Sequence, residues 1–387
     1  MRVLYDGFCF SRQKVGGVSR YFRNIIGRLP EPWQPTLTLS GGQPMLLPRH
    51  RGLQTLRFRP FRPRRVSQVL ERRCLDARVA QRSFDLCHPT YYTLLGGRSF
   101  VGIRAPVVIT VWDMIHEIFR KEMDPTGQVA SEKREAILAA DALLCISRNT
   151  RDELVARYPQ VSDRAVVTHL ASDMNELDAA GGEPVPEPPY FLHVGARGFY
   201  KNFGALLDAF EQVASCRREL RLCVAGEPLD RQEEIAVASR GLSGRVLQYV
   251  NPCDKHLARL YRCSVALVYP SLHEGFGIPV LEAMACGTAV IAMASSSIPE
   301  VAGDAALLID PDRKGDLVDA LLLLADKSSA REALVTRGRE RAATFRWERT
   351  VAATCAVYAA VAGGRVSTKI HRRRRSEETG TPRVSHT

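Results

Sequence analysis

Ser271-Leu272-His273-Glu274-Gly275-Phe276-Gly277-Ile278-Pro279-Val280-Leu281-Glu282-Ala283-Met284-Ala285-Cys286-Gly287 packs two acids, glycines and a proline into one corner of the chain. Val265-Ala266-Leu267-Val268, just before it, is a short apolar run and predicts a buried parallel strand. Pro279 suits a first helical turn, and a helix from there carries Val280, Leu281, Met284 and Ala285 inward. Glu274 then lies beyond the carboxyl end of a strand, where open α/β sheets bind ligands. Gly275 and Gly277 let the backbone approach a bound group closely, and the helix start favours phosphate or another anion. Glu274 and Glu282 can therefore flank one ligand. The competing reading is an ordinary capped helix with Glu282 in solvent.

With Ser-x-x-Glu-Gly-Phe-Gly-Ile-Pro ahead and Glu-Ala-Met-Ala-Cys-Gly behind, the pair Glu274 and Glu282 resembles the signature of the family-4 retaining glycosyltransferases. The resemblance implies an α/β chain of GT-B fold, two Rossmann-like domains facing across a cleft with the last helix crossing back. It implies that Glu274 holds the donor sugar and Glu282 the ribose, with Gly275, Phe276, Gly277 and Ile278 at the donor.

The chain has 387 residues, 45% hydrophobic and 25% charged, enough for two α/β domains. Its ten cysteines show no C-x-x-C pair, so reduced core thiols are expected rather than disulfides or zinc. Met1-Arg2-Val3-Leu4-Tyr5-Asp6 meets charge too early for a signal peptide, and no apolar run approaches the ~18 residues of a membrane span. These readings predict a cytoplasmic protein. The net charge of +12 is uneven, with nineteen Lys/Arg against five Asp/Glu in residues 1–110. That asymmetry points to an anionic partner for this part: a phosphorylated acceptor, an anionic membrane or nucleic acid.

Arg2-Val3-Leu4-Tyr5 reads as the first strand, and Gly16-Gly17-Val18-Ser19 opens a helix carrying Tyr21, Phe22, Ile25, Ile26 and Leu29. A glycine pair can be only a tight turn; the resemblance makes Gly16 and Gly17 a loop near the donor phosphates or the acceptor. Residues 49–82 hold eleven arginines and two acids, with Val66, Val69, Leu70, Cys74 and Ala77 at helical spacing. This basic amphipathic segment suits either a core face or docking on an anionic membrane. Phe84–Pro89 and Pro106–Val111 read as further strands. The second ends in Trp112-Asp113-Met114-Ile115-His116, where the family commonly has a His-Asp pair. Tryptophan occupies the expected histidine position, Asp113 keeps the acid, and His116 either substitutes for the histidine or is structural. A helix over about 127–140, a strand at Ala142–Ile146 and a helix capped by Ser147 or Asn149 follow, and Ser147-Arg148-Asn149-Thr150 resembles the family's Ser-x-x-Thr turn.

The stretch 181–189, rich in glycine and proline, reads as a linker between an acceptor domain over 1–180 and a donor domain over 190–344. Tyr190–Gly195 is a strand, and Arg197 and Lys201 on the loop after it can reach one diphosphate. With Gly195 they match the family's Gly-x-Arg-x-x-x-Lys-Asn pattern. Further strands are expected at Leu220–Gly226, Val246–Val250 and Thr288–Ala292, and Ile298–Gly303 resembles a segment near the nucleotide, although Glu300 could simply cap its own turn. Asp310-Pro311-Asp312 reads as a turn, not a metal site. Helices over 314–326 and 329–343, a crossover helix over 345–362 and a disordered basic tail over 363–387 complete the reading.

The resemblance implies metal-independent transfer, with retention, of a sugar from a nucleotide diphosphate such as GDP-mannose or a UDP-sugar. The acceptor would be a saccharide or lipid-linked glycan in cell-surface polysaccharide synthesis, worked on from the inner membrane face. The alternatives are a GT-B epimerase or a basic nucleic-acid-binding or scaffold protein; the latter leaves the Glu274/Glu282 corner without a purpose, and no nucleic acid is expected.

Overall fold

The computed structural model describes residues 1–364 apart from 13–15, 42–46, 99, 101–102, 180–182, 188 and 314. Most of the expected basic tail, and parts of the expected linker, lie outside the described residues. The amino-terminal half is a parallel sheet of β1 (Arg2–Asp6), β2 (Gln34–Ser40), β3 (Gln54–Phe58), β4 (Leu86–Cys87), β5 (Val108–Val111), β6 (Ala142–Cys145) and β7 (Ala165–Val167). It runs in the order β3-β2-β1-β4 and, through a single parallel bridge between Cys87 and Val107, on to β5-β6-β7. The carboxyl-terminal half holds β8 (Tyr190–Val194), β9 (Arg221–Gly226), β10 (Val246–Val250), β11 (Ala266–Tyr269), β12 (Val290–Met293) and β13 (Leu307–Ile309), all parallel in the order β10-β9-β8-β11-β12-β13.

Short runs such as Val-Ile-Thr-Val in β5 and Ala-Leu-Val-Tyr in β11 are buried throughout, as strands covered on both faces must be. β2 and β3 went unread because Pro35 at the start of β2 and Arg57 inside β3 argue against central strands, although the Thr-Leu-Thr-Leu alternation of β2 is itself a strand signal. Helices cover both faces. Gly17–Gly27 buries Tyr21, Phe22, Ile25 and Ile26 against Val3 and Tyr5. The last helix, Trp347–Ala362, belongs by sequence to the carboxyl-terminal half yet packs on Gly17–Gly27, β4 and β6. Tyr358 on it bonds His88 and lies 3.3 Å from the Tyr5 hydroxyl. Burial pushes His88 down to about 3, so the ring is a neutral bridge between Tyr358 and Thr110.

The order of the second sheet reverses direction between β8 and β11, and the loops leaving the carboxyl ends of those two strands carry Lys201 and Glu274. That junction is where doubly wound sheets bind ligands.

Candidate active site

Two glycines set the backbone of the corner. Gly277 precedes the helix Ile278–Ala285 with φ +95°, and a Cβ on it would lie 2.6 Å from Ile298 Cδ1. At Gly275 a Cβ would stand 1.9 Å from the Trp112 carbonyl oxygen, so only glycine lets the loop after β11 meet the loop after β5. The Gly275 carbonyl also accepts from Thr150 Oγ1 at 3.2 Å. This glycine is thus a contact between the two halves.

Glu274 is buried, and its Oε1 takes Lys201 Nζ and Tyr269 Oη at 2.6 Å each. Ser296 Oγ accepts from its amide and Ser297 Oγ donates to its carbonyl, so the backbone is held at both ends. Burial, then the Glu274 carboxylate, raise Tyr269 well above the usual phenol range, so its hydroxyl remains a donor. Glu282 is 8% exposed, which excludes the solvated alternative. Its Oε2 accepts from Tyr261 Oη at 3.1 Å, and burial raises its carboxyl above the usual range. It lines a cavity of about 210 Å³ with Ile278, Gly17, Arg20 and Trp347. The structure therefore brings the first glycine loop and the second glutamate to one space between the halves. Gly16 starts that helix, exchanging bonds of 3.0 Å with Ser19 Oγ.

Arg197 and Lys201 part company. Arg197 is almost wholly buried, with Nε on Glu233 at 2.9 Å and Nη2 on the carbonyls of Glu227 and Pro228 at 3.0 and 2.8 Å. Lys201 points to Glu274 instead. Gly195 takes φ +109° and donates to the Ala225 carbonyl. Phe276 buries its ring against Phe345 and His169, so only its backbone faces the corner.

Asp113 accepts from the Ile115 amide at 3.0 Å, and buried Lys133 lies 3.6 Å from its Oδ1 and 2.8 Å from Glu117. Trp112 lays its ring edge-on to Tyr21 at 5.1 Å, a packing role. His116 leaves Nδ1 buried without a protein partner, and no contact joins it to Glu274 or Lys201 among the described residues. His273, quoted in the motif without a role, is buried with Nε2 3.4 Å from Glu153; burial lowers its imidazole, and the charges of Asp113, Glu274 and Lys201 all reach it. Tyr200 feels Glu274 and Asp113 as well, and burial is the main reason it is pushed up to about 12. The loops of β5, β8 and β11 thus converge. Tyr269, Tyr261, Lys133 and His273 were missed, because a strand-end tyrosine or a helical lysine carries no motif of its own.

Glu300 does not cap its own turn. Its carboxylate takes the Arg148 and Asn149 amides at the start of the helix Arg148–Arg157, whose other cap is Ser147, and His169 Nε2 at 2.5 Å. Asp310 accepts the Asp312 amide at 3.0 Å, the turn its sequence suggested.

The comparisons agree with this geometry. Residues 15–176 match the model of Glycosyltransferase Family 4 and residues 175–341 that of Glycosyl transferases group 1. O-antigen chain mannosyltransferase B of Escherichia coli is 30% identical over 235 residues, 58% of this chain and 62% of that protein, so the match spans less than two thirds of its length. Sucrose-phosphate synthase from Thermosynechococcus elongatus superposes with a TM-score of 0.75 at 21% identity, covering 94% of this chain and 99% of that one. An Anabaena protein solved with UDP and glucose gives 0.70 at 16% identity, covering 92% and 99%. With both halves matched and the two-sheet architecture shared, the chain belongs to the family-4, group 1 glycosyl transferases and has the GT-B fold.

Proposed function

We propose that the protein moves a hexose, with retention, from a nucleotide-diphosphate sugar to a saccharide or lipid-linked glycan. The observation that carries this reading is the buried Glu274–Lys201–Tyr269 cluster at the strand reversal, in the same corner as a buried Glu282 that faces Gly17 across a cavity. Glu274 would accept hydrogen bonds from hydroxyls of the donor sugar, and Glu282 from those of the ribose. Lys201 and the start of the helix Ile278–Ala285 would meet the diphosphate, whose charge grows as the glycosidic bond breaks. Arg197 joins them if donor binding draws its fork from Glu233. The mannosyltransferase relative and the UDP complex of a fold neighbour support a nucleotide sugar as donor. No metal is assigned a part.

The acceptor half would dock on an anionic membrane face. The helix Arg64–Ala80 buries Ser67, Glu71 and Leu75, while Val66, Val69 and Leu70 stand exposed among its arginines. An apolar stripe turned outward with basic neighbours is the pattern of an interfacial helix. Among the described residues no helix is long and apolar enough to cross a membrane.

The deciding experiment melts the protein with a panel of nucleoside diphosphates and nucleotide sugars, then follows sugar transfer with and without a chelator. One nucleotide should raise the melting temperature, and transfer should survive chelation. Absence of both protection and transfer across the panel would refute the transferase reading, and loss of transfer with the metal would refute metal independence.

A further inference from the structure

A large cavity, half open to solvent, lies away from the cleft and measures about 1140 Å³ in the amino-terminal half. Its floor is Leu4 and Cys87, buried side chains of β1 and β4, and its walls are Val79, Leu94 and Ile103. Val3 and Tyr5, the neighbours of Leu4, pack into the core on the other face of the sheet, whereas Leu4 and Cys87 join none of the packed apolar clusters. Val79 and Ile103 are only half-buried along its walls, so the groove offers apolar surface to an occupant, and it slightly exceeds the ~300–1,000 Å³ of ordinary ligand pockets.

The rim is cationic. Arg98 is neutralised by Asp6 and lies 3.6 Å from Asp76, which also faces Arg72 at 4.0 Å. Arg82 and Arg104 are exposed and make no ion pair among the described residues. Both precede their strands, β4 and β5, so the mouth opens at the strand starts, opposite the ends that carry the transfer site. It also opens beside the last turns of the helix whose first turns expose Val66, Val69 and Leu70.

We propose that this cavity takes a chain of an anionic membrane lipid, with the lipid phosphate held by Arg82 and Arg104. The proposal rests on the membrane-docking reading and extends it: the helix lies on the bilayer and the cavity draws one lipid out of it. An acceptor is excluded as the occupant because its reacting sugar must reach the opposite edge of the sheet.

The test titrates the full-length protein with dihexanoylphosphatidylglycerol below its micelle concentration, with dihexanoylphosphatidylcholine as the control, and reads melting temperature and affinity. The wild type should bind the anionic lipid saturably and at least tenfold more tightly than the zwitterionic one. Val79→Trp, which narrows the cavity, should weaken binding at least fivefold, and Arg82→Gln with Arg104→Gln should weaken it as much without changing nucleotide protection. Should Val79→Trp not fold, the arginine pair decides. Equal binding of the two lipids, or full binding by the variants, would overturn the proposal. A parallel arm uses phosphatidylglycerol vesicles: vesicle binding without monomer binding overturns the cavity and spares the docking helix, while monomer binding without vesicle binding does the reverse.

Discussion

Each glutamate of the corner is held by a tyrosine that stays protonated, Tyr269 on Glu274 and Tyr261 on Glu282, and the two carboxylates differ in what else they touch. Lys201 balances Glu274, whereas Tyr261 is the hydrogen-bond partner of buried Glu282. Burial raises the Glu282 carboxyl above its ordinary 4.5, so the unfolded chain ionises first and the fold loses stability as pH climbs past 4.5 until the folded group ionises too. Glu282→Gln keeps an acceptor for Tyr261 without the charge. We expect it to stabilise the unliganded protein in urea melts above that pH, with no advantage at lower pH, and to weaken nucleotide binding by about 1.5–3 kcal/mol. An unchanged nucleotide affinity would contradict the ribose role. Lys201→Ala should cut turnover by about 10²–10³, the usual loss for one preorganised charge-stabilising donor, and raise the donor dissociation constant by less. A weakened donor affinity with turnover at saturating donor intact would mean that Lys201 only binds. At this scale the Glu-x7-Glu spacing was legible, since a motif is local. The burial of Glu282 and its partner Tyr261, twenty-one residues away on another helix, were not, because the packing sets them; Tyr269, five residues before Glu274, carries no motif of its own.

Among elements, strands rich in Val, Ile and Leu were legible by their runs, and β2 and β3 were lost to Pro35 and to the charge of Arg57. The helix Arg64–Ala80 was legible as amphipathic, but its direction was not: periodicity marks a stripe of Val66, Val69 and Leu70, and only the packed structure shows that Ser67, Glu71 and Leu75 face inward instead. Replacing Arg64, Arg65, Arg72 and Arg73 with glutamine should release the protein from anionic liposomes, at about 1 kcal/mol per residue near the surface, while transfer to a short soluble acceptor persists. The wild type should also detach as salt rises, given screening over ~8 Å at physiological ionic strength. Indifference of the wild type to anionic liposomes in a flotation assay at low salt would remove the membrane from the account. At the corner, Gly275→Ala forces the loops of β5 and β11 apart, and overpacking of this kind costs about 1–3 kcal/mol. A melting temperature equal to wild type would show that the contact gives way freely.

For the whole molecule, the two halves meet through charged caps as well as packing. Burial works to raise the Glu300 carboxyl, but the bonds from His169 and the Arg148 and Asn149 amides prevail and hold it below 4.5. Its contribution is therefore in place above 4.5 and fades as the pH falls through the lower folded value. Glu300→Gln should lower the melting temperature at neutral pH, with the difference closing in acid once the folded carboxyl is protonated; a gap that persists in strong acid would mean that the charge is not what joins the halves. The last helix makes the other connection, since Tyr358 reaches His88 and Tyr5, and Trp347 lies 6.2 Å from Tyr21. Domains usually fold as units during synthesis, the amino-terminal one first at about 5–20 residues per second. Here that order is broken. The sheet that leaves the ribosome first lacks the helix covering Tyr5, Tyr21 and His88 until the final stretch of the chain has been made. Residues 1–180 expressed alone would carry an open aromatic face and should aggregate, and adding the peptide 345–364 in trans should restore a soluble complex.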